Sequence, residues 1–314
     1  ITTILEAAAA NGIKGIEICH EALLKHAIDH TEPRPASEED ISETAILDAA
    51  RDIKKLSDSL DVTIIVLQPF ASYEGLVDRT KHRRKVQKWS HWLDIAVILG
   101  CDIIQMPSNF NLEGTTGDMD TIVADMREVA DLALAAQLPV RIAYEAVAWG
   151  THFDLWEQSW DVVKAVDRSN FGLCLDTFHI VGRVWGDPTR EDGRTPNADA
   201  DIVASISRLV DGGLDVEKVF YLQLSDAERL AGPLIAGHPL HVPGQRDRCT
   251  WSRSARLFPC EEHRGGYLPV LEVTKAIVNG LGYRGWISME TFSRHLCEPD
   301  ANIPGDYAKR ARRS

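Results

Sequence analysis

Short segments rich in Val, Ile and Leu alternate with longer amphipathic segments along the whole 314-residue chain. Strands are predicted over residues 13–19, 62–67, 102–106, 140–145, 171–176, 219–224 and 286–290. Helices are predicted over residues 2–10, 42–60, 80–99, 121–137, 155–167, 199–210, 270–281 and 307–313. An alternation of strand and helix predicts a parallel sheet covered by helices, and the length fits one α/β barrel.

The order of the predicted elements departs from a (β/α)8 barrel at one point. Such a barrel begins with a strand, whereas the first element predicted here is a helix over residues 2–10. We therefore expect a barrel whose first strand is missing from this chain, with two unpaired strand edges beside the gap. A closed barrel of eight strands within the chain would contradict this expectation.

One domain is predicted over residues 1–314. A polar loop is expected after the strand at 13–19, and a long insertion at about 225–268. The insertion follows the strand at 219–224, the seventh of the expected eight.

Composition limits the partners and the location of the protein. The formal net charge of −13 is unfavourable for contact with a nucleic-acid backbone, so no nucleic acid is expected. No apolar stretch approaches the length of a membrane span, so no membrane contact is expected. Six cysteines without motif spacing predict reduced, buried thiols in a cytoplasmic protein. Assembly into a homo-oligomer is left open.

Polar side chains stand at the ends of four predicted strands: Glu145, Asp176, Gln223 and Glu290. The C-terminal ends of barrel strands meet on one face, where three carboxylates repel one another unless a cation neutralises them. Oxygen ligands without thiolate favour Mg²⁺ or Mn²⁺, and Co²⁺ is also acceptable. Two plainer interpretations stay open, namely that Asp176 only caps the next helix, or that the four strand ends are unrelated.

Several motifs carry a resemblance to a known family. The segments YEAVAWG, CLDTFH, YLQLSD, WSRSARLFP and LGYRGWISMETF resemble those of the fungal and bacterial 3-dehydroshikimate dehydratases. That family lies within the xylose isomerase-like sugar phosphate isomerase superfamily of TIM barrels. The resemblance implies a divalent metal held by the four strand-end residues. It also implies that Ser252 and Arg256 grip a substrate carboxylate, a role that suits a guanidinium fork.

The implied reaction is dehydration of 3-dehydroshikimate to protocatechuate through a metal-stabilised enediolate. Arg256 and His179 are the catalytic candidates; His179 either moves protons or orients a metal ligand. Glu74, His152 and His241 are candidates to line the substrate pocket. Another branch of these dehydratases uses a lysine as acid and base, but Ser225 stands at that position here, so this mechanism is not carried over.

Three other functions compete with this interpretation. A sugar or inositol-type isomerase, epimerase or dehydratase would use the same metal but has less need of an arginine that binds carboxylates. An abasic-site endonuclease is disfavoured by the acidic charge balance. A degenerate barrel that only binds a ligand is disfavoured because all four predicted metal ligands are present.

Overall fold

The computed structural model describes residues 1–35, 37 and 40–314, and its centre is a sheet of seven parallel strands. In chain order the strands are β1 (Gly15–Cys19), β2 (Thr63–Gln68), β3 (Ile103–Pro107), β4 (Arg141–Glu145), β5 (Phe171–Asp176), β6 (Val219–Gln223), β7 (Asp226–Ala227), β8 (Arg256–Leu257) and β9 (Ile287–Ser288). The sheet runs β1-β2-β3-β4-β5-β6-β9, while β7 and β8 form an antiparallel pair. The prediction of a barrel with seven strands in this chain is confirmed.

Helices follow the strands and cover the outside of the sheet. They are α1 (Thr2–Ala10), α2 (His20–Asp29), α3 (Glu43–Ser59), α4 (Arg79–Leu99), α5 (Met119–Leu134), α6 (Trp156–Val166), α7 (Thr177–Val184), α8 (Ala198–Asp211), α9 (Asp247–Ala255), α10 (Val270–Lys275) and α11 (Ile303–Arg313). Among these, no helix is both long and apolar enough to cross a bilayer.

The polar loop predicted after the first strand, with Pro33 and Pro35, begins later than expected, because α2 begins directly at the end of β1 and the two prolines follow this helix. Its sequence HEALLKHAID places Leu23 and Ala27 one turn apart, and both are buried against the core. Burial of one face stabilises a helix whose composition is otherwise polar. Helices α7 and α9 were also missed, and both carry residues of the candidate site.

Local chemistry sets the boundaries of the outer helices. The side chains of Ser42, Asp78 and Asp118 accept backbone N–H groups in the first turns of α3, α4 and α5. Such caps satisfy donors that have no partner within the helix. Helix α4 ends at Gly100, whose φ of 68° is left-handed and suits glycine.

The hydrophobic core has two parts. A large outer cluster fills the space between the sheet and the helices, and it includes Trp89, Tyr144 and Phe171. A smaller inner cluster includes Ala143, Cys174 and other residues of alternate strand positions. Since side chains alternate across a strand, the residues that point inward fill the barrel and leave its C-terminal end for polar groups.

The two ends of the sheet, β1 and β9, face each other across a groove. At one point Trp286 closes over β1, where a Cβ on Gly15 would lie 2.9 Å from its ring. The groove has a volume of about 730 Å³ and a largely apolar lining. Glu17 and Glu290 lie at its inner end, so it runs beside the mouth of the barrel.

The segment between β6 and α10 contains β7, α9 and β8. Asp226 ties it together, since its Oδ1 accepts the N–H groups of Tyr267 at 3.2 Å and Leu268 at 2.9 Å. One domain with an insertion at about 225–268 stays a prediction.

Candidate active site

Four polar side chains that sequence analysis selected lie at the mouth of the barrel. Glu145 ends β4, Asp176 ends β5, Gln223 ends β6, and Glu290 follows β9 by two residues. The first three are buried, and the side chain of Glu290 is 11% exposed. Gln223 Nε2 donates to Glu290 Oε1 at 2.9 Å, which joins two of the strand ends directly.

Asp176 serves both as a strand end and as a helix cap. Its Oδ1 accepts the N–H of Phe178 at 2.7 Å and so caps α7. Its Oδ2 accepts from Arg256 Nη1 at 2.6 Å and faces the centre of the site. The two interpretations of this residue are therefore compatible, because each uses a different carboxylate oxygen.

Arg256 is buried at the start of β8, and its guanidinium lies among the carboxylates. Nη1 donates to Glu290 Oε2 at 2.7 Å as well as to Asp176, and Nε donates to Ser252 Oγ at 2.9 Å. Ser252 stands one turn earlier, on α9. The guanidinium also lies over the ring of Phe178, 4.4 Å from its centroid. The predicted pair of Ser252 and Arg256 is thus adjacent to the predicted metal ligands.

His179 lies in the first turn of α7, with both ring nitrogens in contact with the site. Nδ1 accepts the N–H of Ala148 at 3.0 Å. Because a backbone N–H can only donate, the proton of the neutral imidazole is on Nε2. Nε2 lies 3.5 Å from Asp176 Oδ2. Burial lowers the pKa of His179 to about 3, so the ring is neutral at ordinary pH.

Glu17 is a site residue that sequence analysis missed. Its carboxylate accepts from Gln68 Nε2 at 2.9 Å, from Tyr221 Oη at 3.2 Å and from Gln223 Nε2 at 3.0 Å. A second missed residue, Gln105, donates to Glu145 Oε2 at 2.5 Å. The sequence does contain a feature that could have identified Glu17, because it is the charged residue in the otherwise apolar strand GIEIC.

Burial dominates the electrostatics of these carboxyl groups. It raises the pKa of Glu145 well above its usual value, and the charges of Asp176 and Glu290 raise it further. Burial also raises the pKa of Glu290 to about 8, although Arg256 opposes the shift. The pKa of Glu17 is raised, again mainly by burial. The cavity therefore disfavours this many negative charges in the absence of further cations.

The donor set fits a divalent cation. Single ligand atoms of Glu145, Asp176 and His179 lie within 4.8 Å of one another. Asp176 and Glu290 contact the buried guanidinium of Arg256, and two more carboxylates, those of Glu17 and Glu145, lie near them. One more cation would balance these four carboxylates better. His179 matches a ligand poorly, because Nδ1 already accepts a hydrogen bond and Nε2 carries the proton.

The other predicted pocket residues make different contacts. Glu74 Oε1 accepts the N–H of Asn109 at 2.5 Å and the hydroxyl of Tyr144 at 3.1 Å. Since Tyr144 belongs to the outer cluster, Glu74 lies outside the barrel wall. His152 Nε2 contacts Thr115 Oγ1 at 3.1 Å. His241 Nδ1 lies 3.7 Å from a carboxylate oxygen of Asp247, the first residue of α9.

Comparison with known proteins agrees with the architecture. The model of the xylose isomerase-like TIM barrel family matches residues 5–313. The chain belongs to this family. A 3-dehydroshikimate dehydratase of Neurospora crassa is 45% identical to this chain over 307 residues. These residues are 98% of this chain and 85% of that protein.

Two further similarities extend this comparison. A 3-dehydroshikimate dehydratase of Pseudomonas aeruginosa is 32% identical over 289 residues, which are 92% of this xylose isomerase-like chain and 36% of that protein. A solved structure, the IOLI protein with a bound zinc atom, superposes with a TM-score of 0.69 at 17% identity. The superposition covers 98% of this chain and 90% of the IOLI chain, and it supports only the fold.

Proposed function

We propose that this chain is a metal-dependent 3-dehydroshikimate dehydratase, a hydro-lyase that forms protocatechuate. The geometric observation that carries the proposal is the pair of Arg256 and Ser252 beside buried carboxylates at the barrel mouth. A cation site next to a guanidinium suits a small substrate that has both a ketone and a carboxylate. Two relatives similar over nearly the whole chain carry the name of this activity.

The proposed metal ligands are Glu145, Asp176, Gln223 and Glu290. Their oxygens suit Mg²⁺ or Mn²⁺, with Co²⁺ as a further choice. When bound, such an ion would polarise the substrate ketone as a Lewis acid. Gln223 Nε2 donates to Glu17 and Glu290, and its Oε1 lies 3.4 Å from Cys174 Sγ. The amide would therefore turn over to offer its oxygen to the ion.

His179 is the proposed proton carrier. Its Nε2 holds a proton 3.5 Å from Asp176 Oδ2, at the centre of the cluster. Ala148 fixes the tautomer through Nδ1, so this proton lies on the nitrogen that faces Asp176 Oδ2 and Arg256 Nη2. Nε2 would pass its proton to the departing hydroxyl as the proton removed from the substrate carbon returns to the ring, so water leaves and the imidazole ends neutral. Arg256 would hold the substrate through the substrate's carboxylate.

The remaining predictions concern the pocket and the setting of the protein. His152 and His241 are proposed to line the pocket through their loops, whereas Glu74 is proposed to support the wall from outside. All six cysteines are free thiols, which supports a cytoplasmic location, although Cys260 and Cys297 are exposed rather than buried. Homo-oligomer formation stays open.

The direct test is incubation of the purified chain with 3-dehydroshikimate and Mg²⁺, Mn²⁺ or Co²⁺, followed by ultraviolet absorbance of protocatechuate. We expect product formation, and we expect Arg256→Ala to raise KM about tenfold or more, since it removes a charge-assisted pair. Arg310→Met is the control, because Arg310 pairs with Glu261 rather than with a proposed metal ligand.

A folded chain that gives no product with any of these ions would overturn the proposal. Turnover of a sugar or inositol-type ketone in its place would favour the isomerase or epimerase alternative. Binding without turnover of either substrate class would favour a barrel that only binds.

A further inference from the structure

Arg256 makes its strongest contacts with two of the proposed metal ligands. Nη1 lies 2.6 Å from Asp176 Oδ2 and 2.7 Å from Glu290 Oε2. The guanidinium is almost fully buried, at 1% exposure, so solvent screens these contacts little. One nitrogen of Arg256 therefore bridges two carboxylates from different strands of the barrel.

The other oxygen of each carboxylate is already engaged. Asp176 Oδ1 accepts the N–H of Phe178 at 2.7 Å. Glu290 Oε1 accepts from Gln68 Nε2 at 3.1 Å and from Gln223 Nε2 at 2.9 Å. The two oxygens that Arg256 holds, Asp176 Oδ2 and Glu290 Oε2, are therefore the ones best placed for a cation that touches both carboxylates. The metal and the guanidinium cannot both contact these two oxygens at the same time.

The opposite arm of the guanidinium is less well satisfied. Nη2 lies 3.0 Å from His179 Nε2. Since Ala148 donates to Nδ1, Nε2 carries a proton, and two donors face each other across this contact. Such a contact contributes no hydrogen bond and leaves this arm of the fork available for an acceptor.

Two features keep the guanidinium close to the site when Nη1 is displaced. Nε donates to Ser252 Oγ on the preceding helical turn, at 2.9 Å. The rings of Phe178 and Phe292 lie 4.4 Å and 5.5 Å from the guanidinium carbon. These contacts do not involve a carboxylate, so they persist after exchange of the cation.

We infer that Arg256 and the divalent metal compete for Asp176 Oδ2 and Glu290 Oε2. Binding of the metal releases Nη1 and turns the guanidinium fork toward the carboxylate of the substrate. Metal binding therefore precedes tight substrate binding, and Arg256 neutralises the cluster before the metal enters. This inference rests on the metal site of the proposed function.

The test measures Mn²⁺ affinity directly, without turnover. The chain is stripped with a chelator and titrated with Mn²⁺, and free Mn²⁺ is followed by electron paramagnetic resonance. We expect Arg256→Met to bind Mn²⁺ about tenfold more tightly than the unsubstituted chain, because the metal no longer displaces a charge-assisted contact. Before metal is added, Arg256→Met should melt at a lower temperature, since its carboxylates have lost their counter-ion.

Two controls make the result specific. Arg310→Met removes another largely buried arginine, which pairs with Glu261, and it should leave Mn²⁺ affinity unchanged. If near-ultraviolet circular dichroism shows that Arg256→Met does not fold, Arg256→Gln replaces it. Glutamine is polar but has no charge, so the Mn²⁺ affinity of this variant should also exceed that of the unsubstituted chain.

The release of Arg256 is tested with cyclohexene carboxylate, which has the ring carboxylate but lacks the ketone and hydroxyl oxygens through which the proposed substrate would chelate the metal. Calorimetry should show binding to the unsubstituted chain only when Mn²⁺ is present. The inference would be overturned if the folded Arg256 variant bound Mn²⁺ no more tightly than the unsubstituted chain, or if the carboxylate bound equally well with and without Mn²⁺. Neither result would contradict the proposed function. Failure of the unsubstituted chain to bind any divalent metal would overturn both.

Discussion

The Glu74 carboxyl group is buried on the loop after β2, between the side chain of Tyr144 on β4 and the backbone of Asn109 after β3. Its neighbour Gly75 donates to Asp125 of α5, and Glu74 itself accepts from Tyr144 of β4. Burial raises the pKa of Glu74 from 4.5 to about 7. A carboxyl group with a raised folded pKa holds its proton longer in the folded chain, so stability falls as pH rises from the unfolded to the folded pKa.

We expect Glu74→Gln to remove this loss of stability. Between about pH 5 and about pH 8 the unsubstituted chain should lose about 2 to 3 kcal/mol relative to the variant. Glutamine keeps an oxygen that can accept from Tyr144 and Asn109. The measurement is urea unfolding of both proteins at the two pH values.

Glu113→Gln is the matched control, because Glu113 is exposed on a nearby loop. Glu113→Gln should have the same free energy of unfolding as the unsubstituted chain at both pH values. Equal pH dependence of the Glu74 variant and the unsubstituted chain would show that Glu74 is ionised in the fold. A large rise in KM for Glu74→Gln would instead return Glu74 to the substrate pocket.

At the scale of residues, the sequence predicted which residues end the strands better than it predicted which side chains contact one another. Glu145, Asp176 and Gln223 end their strands as predicted. Glu17 was missed because attention to strand ends overlooks an inward-facing residue in the middle of a short strand. The bridge from Arg256 to Asp176 spans 80 positions of the chain, and no local pattern encodes such a contact.

At the scale of elements, the contact of β5 with the start of β6 depends on Gly172. A Cβ at this position would meet the carbonyl oxygen of Lys218 and would lie 2.7 Å from the Phe220 ring. Because β5 carries Asp176 and leads into α7, a shift of this strand would move both Asp176 and His179.

We expect Gly172→Ala to destabilise the fold by about 1 to 3 kcal/mol through overpacking. Thermal and urea unfolding measure the loss. Gly305→Ala in α11 is the control, since no atom lies within 4 Å of a Cβ there. That variant should gain about 0.5 kcal/mol from helix propensity. Similar stabilities for the two variants would show that β5 has room for a side chain.

The strands were easier to predict than some of the helices. Runs such as TIIVLQ and FGLCLD are largely apolar, because barrel strands are buried on both faces. Helix α2 was taken for a loop because half of its residues are polar and it is short, so that it depends on packing against the core. Helix α7 was missed because it begins directly where β5 ends, so no turn residue separates the two.

At the scale of the whole molecule, the sheet has two ends, and both border the apolar groove. Ile4, Trp286 and Ile287 line this groove and are 48%, 42% and 40% exposed. Strand edges beside exposed apolar side chains favour contact between copies of a chain. The net charge of −13 opposes such contact at low ionic strength and does so less when salt screens it.

We therefore expect association that increases with protein concentration and with salt, and we expect Ile287→Lys to reduce it. A lysine on β9 places a charge on the strand edge and in the groove, where a second copy would have to bury it. Val203→Lys is the control, because Val203 is 63% exposed on α8 and does not line the groove. Sedimentation velocity at two salt concentrations measures the effect. Equal association by both lysine variants would show that contact between copies does not use the groove between β1 and β9.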